Sequence, residues 1–150
     1  MKFVWKHLLV HQDRARAPAL AACAAQAQEK FWEMYDAIFS SAYPGELSPE
    51  KMRELAGMLK LDAARFARDV EGDKCRADLT GDQELMGSLG VRGTPTFFIN
   101  GRLLVGAQPI EAFRALVDEE LAKARAAEQR GVKRADYYEQ EVVAKGKQGL

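Results

Sequence analysis

The sequence lacks the features that mark several classes of protein. No stretch approaches the roughly 20 consecutive apolar residues of a membrane span. The opening segment, MKFVWKHLLV, has too short an apolar run to be a signal peptide, since Lys6 and His7 interrupt it. The 22 Lys and Arg residues are balanced by 22 Asp and Glu residues, so the basic excess typical of nucleic-acid-binding proteins is missing. We therefore expect a soluble chain with no nucleic-acid partner, no membrane span and no export signal of its own.

Cysteine and histidine are also scarce. The chain has two cysteines, Cys23 and Cys75, which stand 52 positions apart, and two histidines, His7 and His11. Structural zinc needs four nitrogen or sulfur ligands, and neither the spacing nor the neighbours of these residues make such a site, so we expect no metal. No serine, cysteine or carboxylate is spaced to form a triad with either histidine, so the histidines are assigned no role. No C-x-x-C pair occurs, so the chain lacks vicinal thiols of which one attacks and the other resolves. No phosphate-binding loop or dinucleotide fingerprint is present, which predicts no small-molecule cofactor.

The composition is that of one folded domain. The 150 residues are 47% hydrophobic and 29% charged, which suffices for a single core. Residues 2–5, Lys-Phe-Val-Trp, favour a short strand because aromatic and β-branched side chains suit a pleated surface. Apolar residues then recur at three- and four-residue steps, and this spacing predicts a helical block over roughly residues 18–89. Within it, Ser48 before Pro49 indicates a helix start, and Asp62 can cap a further helix.

The hydrophobic period changes from about 3.6 to 2 after residue 89. The run Thr96-Phe97-Phe98-Ile99 precedes Asn100-Gly101 and the run Arg102-Leu103-Leu104-Val105 follows it, and this pattern predicts a β-hairpin over residues 96–105. Its type I′ turn needs positive φ at both central residues. Pro109 opens a last amphipathic helix, with Gly131 as its stop. The residues of that helix expected to face the core are Ile110, Phe113, Leu116, Val117 and Leu121.

The most specific motif of the chain includes the first strand and turn of this hairpin. Its residues are Gly90-Val91-Arg92-Gly93-Thr94-Pro95-Thr96-Phe97-Phe98-Ile99-Asn100-Gly101. This segment resembles the Gly-Thr-Pro-Thr-Phe-Phe segment of the DsbA-like disulfide oxidoreductases, which have a thioredoxin fold with a helical insertion. Residues 30–39, Lys-Phe-Trp-Glu-Met-Tyr-Asp-Ala-Ile-Phe, are similar to that insertion, and Val4-Trp5-Lys6-His7 is similar to the strand before it. The resemblance covers about residues 2–125.

The resemblance implies an α/β, thioredoxin-like fold. The family's first strand–helix units, including the helix with C-x-x-C, have no counterpart in this chain, so the expected fold is incomplete. The expected organisation is a truncated DsbA-like domain over residues 1–131, followed by a polar tail or peripheral helix at 132–150. Within the domain we expect a helical insertion at about 18–89, a cis-proline and hairpin at 94–105 and a C-terminal helix at about 109–130.

The resemblance also implies a loop that binds substrate. In the family the bond before the matching proline is cis, which would make Thr94–Pro95 a cis peptide. The residue before such a proline offers its backbone N–H and C=O groups to an extended, cysteine-containing polypeptide, which pairs as an added strand. The candidate substrate-binding residues are Arg92, Gly93, Thr94 and Pro95, with Thr94 as the main contact.

A group of aromatic residues lies in the predicted helical block. Their helical spacing favours the core and rim of the block over a ligand-binding box, although the exposed members are candidates for lining a peptide groove. These residues are Phe31, Trp32, Tyr35, Phe39 and Tyr43.

The family's redox nucleophile is missing from this chain. We therefore assign no catalytic residue and expect the chain alone to be redox-inactive. Cys23 and Cys75 lie in apolar helical stripes, and two interpretations stay open: buried hydrophobes, or a structural disulfide worth roughly 4 kcal/mol in the loop-entropy treatment. Without the family's central strand, two apolar strands would have unpaired backbone groups. We expect a homo-oligomer formed by strand exchange or edge pairing, a rearranged N-terminal strand, or a partner chain that completes the sheet.

Three functions are open at this point. The first is a thiol–disulfide oxidoreductase of the DsbA-like family, whose redox half belongs to a longer reading frame or to a second chain. The second is a non-catalytic thioredoxin-like module that binds or assembles polypeptides. The third is a relative of kappa-class glutathione transferases and hydroxychromene carboxylate isomerases, whose matching segment usually reads Val-Pro, so Thr94-Pro95 favours the first family. The resemblance implies a periplasmic or other extracytoplasmic location, and nothing else in the sequence indicates one.

Overall fold

A computed structural model of the chain describes residues 2–145. The chain divides into two compact units, Met1–Ser88 and Leu89–Leu150. In order, the elements are α1 (Gln12–Gln26), α2 (Phe31–Ala37), a π-helical turn (Ile38–Ala42), α3 (Pro49–Met58), α4 (Ala63–Glu71), α5 (Asp73–Ser88), β1 (Thr96–Ile99), β2 (Arg102–Val105), α6 (Ile110–Gln129) and a second π-helical turn (Tyr138–Val143).

The first unit is built around α1, which contacts α2, α3, α4 and α5. Its alanines favour the helix and have small side chains, so the neighbouring helices can approach closely. Ala21, Ala22, Ala24 and Ala25 are buried in one apolar cluster with residues of α2, α3 and α4. Another face of α1 joins a second cluster with α5. The Ala-rich stretch is therefore the structural centre of this unit.

Two helix starts are those that the sequence predicts. The hydroxyl of Ser48 accepts a hydrogen bond from the backbone N–H of Lys51 at 3.1 Å, and Pro49 occupies the first turn of α3. The carboxylate of Asp62 accepts from the backbone N–H of Arg65 at 2.8 Å at the start of α4. Each side chain satisfies a backbone donor that has no partner inside its helix.

The N-terminal part of the first unit differs from expectation in two ways. Residues 2–9 form no strand, so the strand predicted over 2–5 is wrong. A strand needs a hydrogen-bonded neighbour, and within residues 2–145 the sheet consists of β1 and β2 alone. Helix α1 also begins at Gln12, earlier than the apolar spacing indicates, with Pro18 inside it. The polar residues of its first turn carry no apolar periodicity that could have revealed this start.

The second unit contains the predicted hairpin, which is confirmed. β1 and β2 pair antiparallel, with Thr96 opposite Val105 and Ile99 opposite Arg102. The φ angles of Asn100 and Gly101 are 47° and 81°, as a type I′ turn requires.

Helix α6 packs on the hairpin over part of its length. The rings of Phe97 and Phe113 meet edge to face at 4.9 Å, and Leu116 is buried. Ile110 and Leu121, in contrast, are about half exposed, so their predicted core positions are wrong. A 20-residue helix is about 30 Å long, whereas four-residue strands span only about 13 Å and cannot cover it. The helix ends before Gly131, as predicted, and the φ of that glycine is 94°.

No helix among residues 2–145 is both long and apolar enough to span a membrane.

Candidate functional site

The four predicted substrate-binding residues form a short loop that leads into β1. The Thr94–Pro95 peptide bond is cis, and a second cis bond joins Tyr43 to Pro44. The hydroxyl of Thr96 donates to the carbonyl of Gly93 at 2.7 Å. On the other side, the backbone N–H of Gly106 donates to the carbonyl of Pro95 at 2.8 Å. Both ends of the loop are thus fixed to the hairpin.

Thr94 lies between these two anchors. Its side chain is exposed, as are those of Arg92 and Pro95, while Gly93 is half buried. Within the described part of the chain, no group donates to or accepts from the backbone of Thr94. A fixed loop with one unpaired N–H and C=O is chemically suited to hydrogen-bond an extended polypeptide backbone.

The two cysteines form a disulfide between α1 and α5. Their Cα atoms are 5.8 Å apart, and Cys75 is buried while Cys23 is half buried. Of the two interpretations left open by the sequence, the structural disulfide is the one found. A carboxylate oxygen of Asp78 lies 3.9 Å from the sulfur of Cys23. Because the sequence holds no other cysteine, the chain has no free thiol in this state.

An array of aromatic rings crosses the surface of the first unit. Neighbouring centroids are 5.4 Å apart for Phe3 and Trp32, 5.0 Å for Trp5 and Tyr35, and 4.6 Å for Tyr35 and Phe39. Phe31, in contrast, is buried beneath it. The sequence-based group omitted two members, Phe3 and Trp5, because they were assigned to a strand. We call the exposed array the aromatic ridge; its members are Phe3, Trp5, Trp32, Tyr35, Phe39 and Tyr43.

A buried carboxylate holds the N-terminal segment against α5. Asp82 accepts a hydrogen bond from the ammonium of Lys6 at 2.7 Å and another from the backbone N–H of His7 at 2.9 Å. Sequence reasoning missed this residue, although a signal was present. The positions of Cys75, Leu79 and Met86 define a buried helical stripe, and Asp82 lies on it.

The electrostatics of His7 follow from this packing. Burial lowers the pKa of the imidazole below its ordinary value of 6.5, and Lys6 acts in the same direction, whereas Asp82 opposes the shift. The indole N–H of Trp5 donates to Nδ1 of His7 at 3.4 Å, an arrangement that requires Nδ1 to be unprotonated. The lowered pKa and this hydrogen bond both favour the neutral imidazole of His7, which lies next to the aromatic ridge.

The second unit has a cavity of about 410 Å³ beside the hairpin turn. Glu120 lies in its wall and accepts from Lys123 at 2.6 Å and from Arg102 at 3.3 Å. Burial alone would raise the pKa of Glu120, but these hydrogen bonds outweigh it and lower the pKa. Glu141, also in the wall, pairs with Arg130 and Lys145. These two carboxylates in the cavity wall thus form ion pairs with neighbouring basic side chains.

No cluster of three or more His, Cys, Asp or Glu side chains suited to a metal ion occurs in residues 2–145.

Several curated proteins match this chain. The Na(+)/H(+) antiporter NhaA 3 of Salinispora tropica and the Na(+)/H(+) antiporter NhaA 1 of Salinispora arenicola are each 36% identical to it over 127 residues. The matched part is 83% of this chain and 19% of each antiporter. The Na(+)/H(+) antiporter NhaA of Herminiimonas arsenicoxydans is 29% identical, over 79% of this chain and 18% of its own length. The chain thus spans about a fifth of the length of these relatives. No solved structure gives a significant match.

A family model also matches most of the chain. Residues 1–118 match the DSBA-like thioredoxin domain, which is more than half of the chain and includes both the helical block and the hairpin. The described residues show the helices and one hairpin of an α/β thioredoxin-like fold. The chain belongs to the DSBA-like thioredoxin domain family, a family of thiol–disulfide oxidoreductases.

Proposed function

We propose that this domain binds extended polypeptides through the backbone of Thr94. The observation that carries the proposal is the contrast within the loop: the carbonyls of Gly93 and Pro95 are both engaged, while the Thr94 backbone between them is not. A peptide that pairs there gains backbone hydrogen bonds without disturbing the protein's own. Because the loop is already fixed at both ends, little ordering entropy opposes binding.

Binding without catalysis is the activity proposed for this chain alone. The sequence has no C-x-x-C, and its two cysteines are joined in a bridge with one buried sulfur. A polypeptide would therefore be held at Thr94 without exchanging a disulfide. Redox chemistry in the whole protein would need a dithiol supplied by other residues. Ion transport is not part of the proposal, because the matches to the antiporters cover about a fifth of their length.

The test separates the Thr94 backbone from its side chain. The probe is a reduced, carboxymethylated polypeptide, which is unfolded and cannot form mixed disulfides. Thr94→Pro removes the N–H donor, and we expect affinity to fall about tenfold, since one backbone hydrogen bond contributes about 1.4 kcal/mol at most. Thr94→Val keeps the N–H and the branched shape, so its affinity should stay within about twofold of the wild type.

Amide resonances give a second measurement on the unmodified protein. On titration with the same probe, the Thr94 N–H signal should shift more than those of the hairpin residues that are already paired. The proposal fails if Thr94→Pro and Thr94→Val bind alike, or if the Thr94 signal stays in place while binding occurs. Far-UV circular dichroism shows whether Thr94→Pro retains its fold, and the resonance measurement holds even if it does not.

A further inference from the structure

The aromatic ridge is a larger apolar surface than the fold of the first unit requires. Phe3 is 60% exposed, Trp32 47%, Phe39 50% and Tyr43 56%. Helix α2 buries Phe31 and Met34 on its inner face, and Tyr35 packs partly against that core, whereas Trp32 and Phe39 are about half exposed. Contiguous apolar patches of this kind mark interaction surfaces in soluble proteins.

The rings are already ordered by contacts with one another. Phe3 packs on Trp32, Trp5 packs on Tyr35, and Phe39 lies 5.7 Å from Tyr43. The N-terminal part of the ridge is also held in place, because the adjacent Lys6 and His7 donate hydrogen bonds to Asp82. A partner that covers the ridge would therefore immobilise few additional side chains, which reduces the entropic cost of binding.

We propose that the aromatic ridge joins two copies of this chain in a reversible dimer. Each aromatic side chain contributes about 150–250 Å², so a ridge that is about half exposed presents on the order of 500 Å². Two ridges face to face would then bury on the order of 1,000 Å², which is the lower limit for a specific interface. This area fits a weak dimer, with dissociation in the micromolar range.

The charges near the ridge favour a second copy over a strongly charged partner. Lys30 and Glu33, at the start of α2, pair with each other at 2.9 Å, so together they add no net charge beside the ridge. The whole chain has a formal net charge of zero, which removes long-range repulsion between copies. The rings also meet at angles from 46° to 86°, so a second ridge finds both edges and faces to pack on.

The test uses sedimentation velocity of the full chain over a range of concentrations. The wild type should change from monomer to dimer in the micromolar range. Phe39→Lys places a charge in the ridge, and the dissociation constant should rise at least tenfold. Met58→Lys is the matched control, because Met58 is 65% exposed and lies outside the ridge. It should dimerise like the wild type.

The two tryptophans provide an internal reporter that needs no variant. Trp5 and Trp32 are the only tryptophans in the sequence, and both belong to the ridge. Their quenching by acrylamide should increase when the wild type is diluted from dimer to monomer. A wild type that is monomeric at every concentration overturns the proposal. So does a dimer that Phe39→Lys and Met58→Lys affect equally, or one whose tryptophan quenching does not change on dilution.

Discussion

At the scale of single residues, Asp82 decides where the N-terminal segment lies. Its side chain is only 11% exposed, and its carboxylate has partners on Lys6 and His7, more than 70 positions away along the chain. Without it the backbone N–H of His7 would lose its acceptor and Lys6 its counter-ion. The aromatic ridge depends on this contact, because Phe3 and Trp5 belong to the same segment.

Asp82→Ala should therefore destabilise the protein by about 1–3 kcal/mol, the usual cost of leaving a part-buried donor without its partner. The matched control is Asp78→Ala on the same helix. Asp78 is half exposed and pairs with the exposed Lys74 at 2.6 Å, so its loss should cost less than about 0.5 kcal/mol. Urea unfolding followed by circular dichroism measures both variants. Equal midpoints for the two variants would contradict the assigned role of Asp82.

His7 predicts how stability depends on pH. Because its pKa is lower in the folded protein than in the unfolded chain, the unfolded state binds a proton first as the pH falls. This contribution to stability is present above pH 6.5 and is lost progressively as the pH falls from there towards the folded-state pKa. We expect His7→Gln to show a shallower loss of stability between about pH 6.5 and pH 5, above the range where carboxylates titrate. Identical slopes for His7→Gln and the wild type would exclude this origin.

Residue roles that depend on near neighbours could be predicted, and those that depend on distant ones could not. Ser48 and Asp62 cap helices three residues away, so their function is visible in a short window of sequence. The partner of Asp82 lies at the other end of the first unit, and no local pattern identifies it. The exposed loop at Thr94 was recognised from its resemblance to a family segment.

At the scale of elements, the disulfide joins the central helix α1 to α5. The same two helices also pack in one apolar cluster, which includes Leu79 of α5 and Leu9 from the segment before α1. The bridge closes a long stretch of chain that includes α2, α3 and α4, so it restricts the unfolded state considerably. Helix packing and the covalent bond thus act on the same pair of elements.

The double variant Cys23→Ser, Cys75→Ser should lose about 2–4 kcal/mol of stability relative to the oxidised wild type. The physical reason is the larger number of conformations available to the unfolded chain without the bridge. Urea unfolding checks the value, and wild-type protein kept reduced throughout is the control that should match the double variant. If the oxidised wild type and the double variant unfold at the same urea concentration, the bridge does not stabilise the fold.

Elements differ in how far their sequences determine them. The hairpin was predicted to the residue because Asn100-Gly101 fixes both the turn and the register of the flanking strands. Residues 2–5 have a comparable preference for strand, yet they form none, because strand formation also needs a partner. Pairing of this segment with a second chain, or with another part of a longer polypeptide, stays a prediction.

At the scale of the whole molecule, the family and the α/β thioredoxin-like class could be recognised from a few motifs, and the surface properties could not. The Gly-Thr-Pro-Thr-Phe-Phe segment is specific, and the match over residues 1–118 agrees with it. The extent of the aromatic ridge depends instead on which aromatic rings stay exposed when the helices pack, and this cannot be read from a short motif. The disulfide has the same dependence, since two cysteines 52 positions apart can bridge only if the helices bring them within reach.

The redox behaviour of the chain depends on Cys23 and Cys75, the two cysteines of its sequence. We expect the 150-residue polypeptide to show no insulin reduction above the rate given by dithiothreitol alone. Cys75 is buried, and the sequence has no C-x-x-C pair in which a second thiol could resolve a mixed disulfide. The double variant Cys23→Ser, Cys75→Ser should give the same turbidity curve as the wild type. Activity that is present in the wild type and absent from the double variant would make the Cys23–Cys75 bridge a redox centre and refute its structural role.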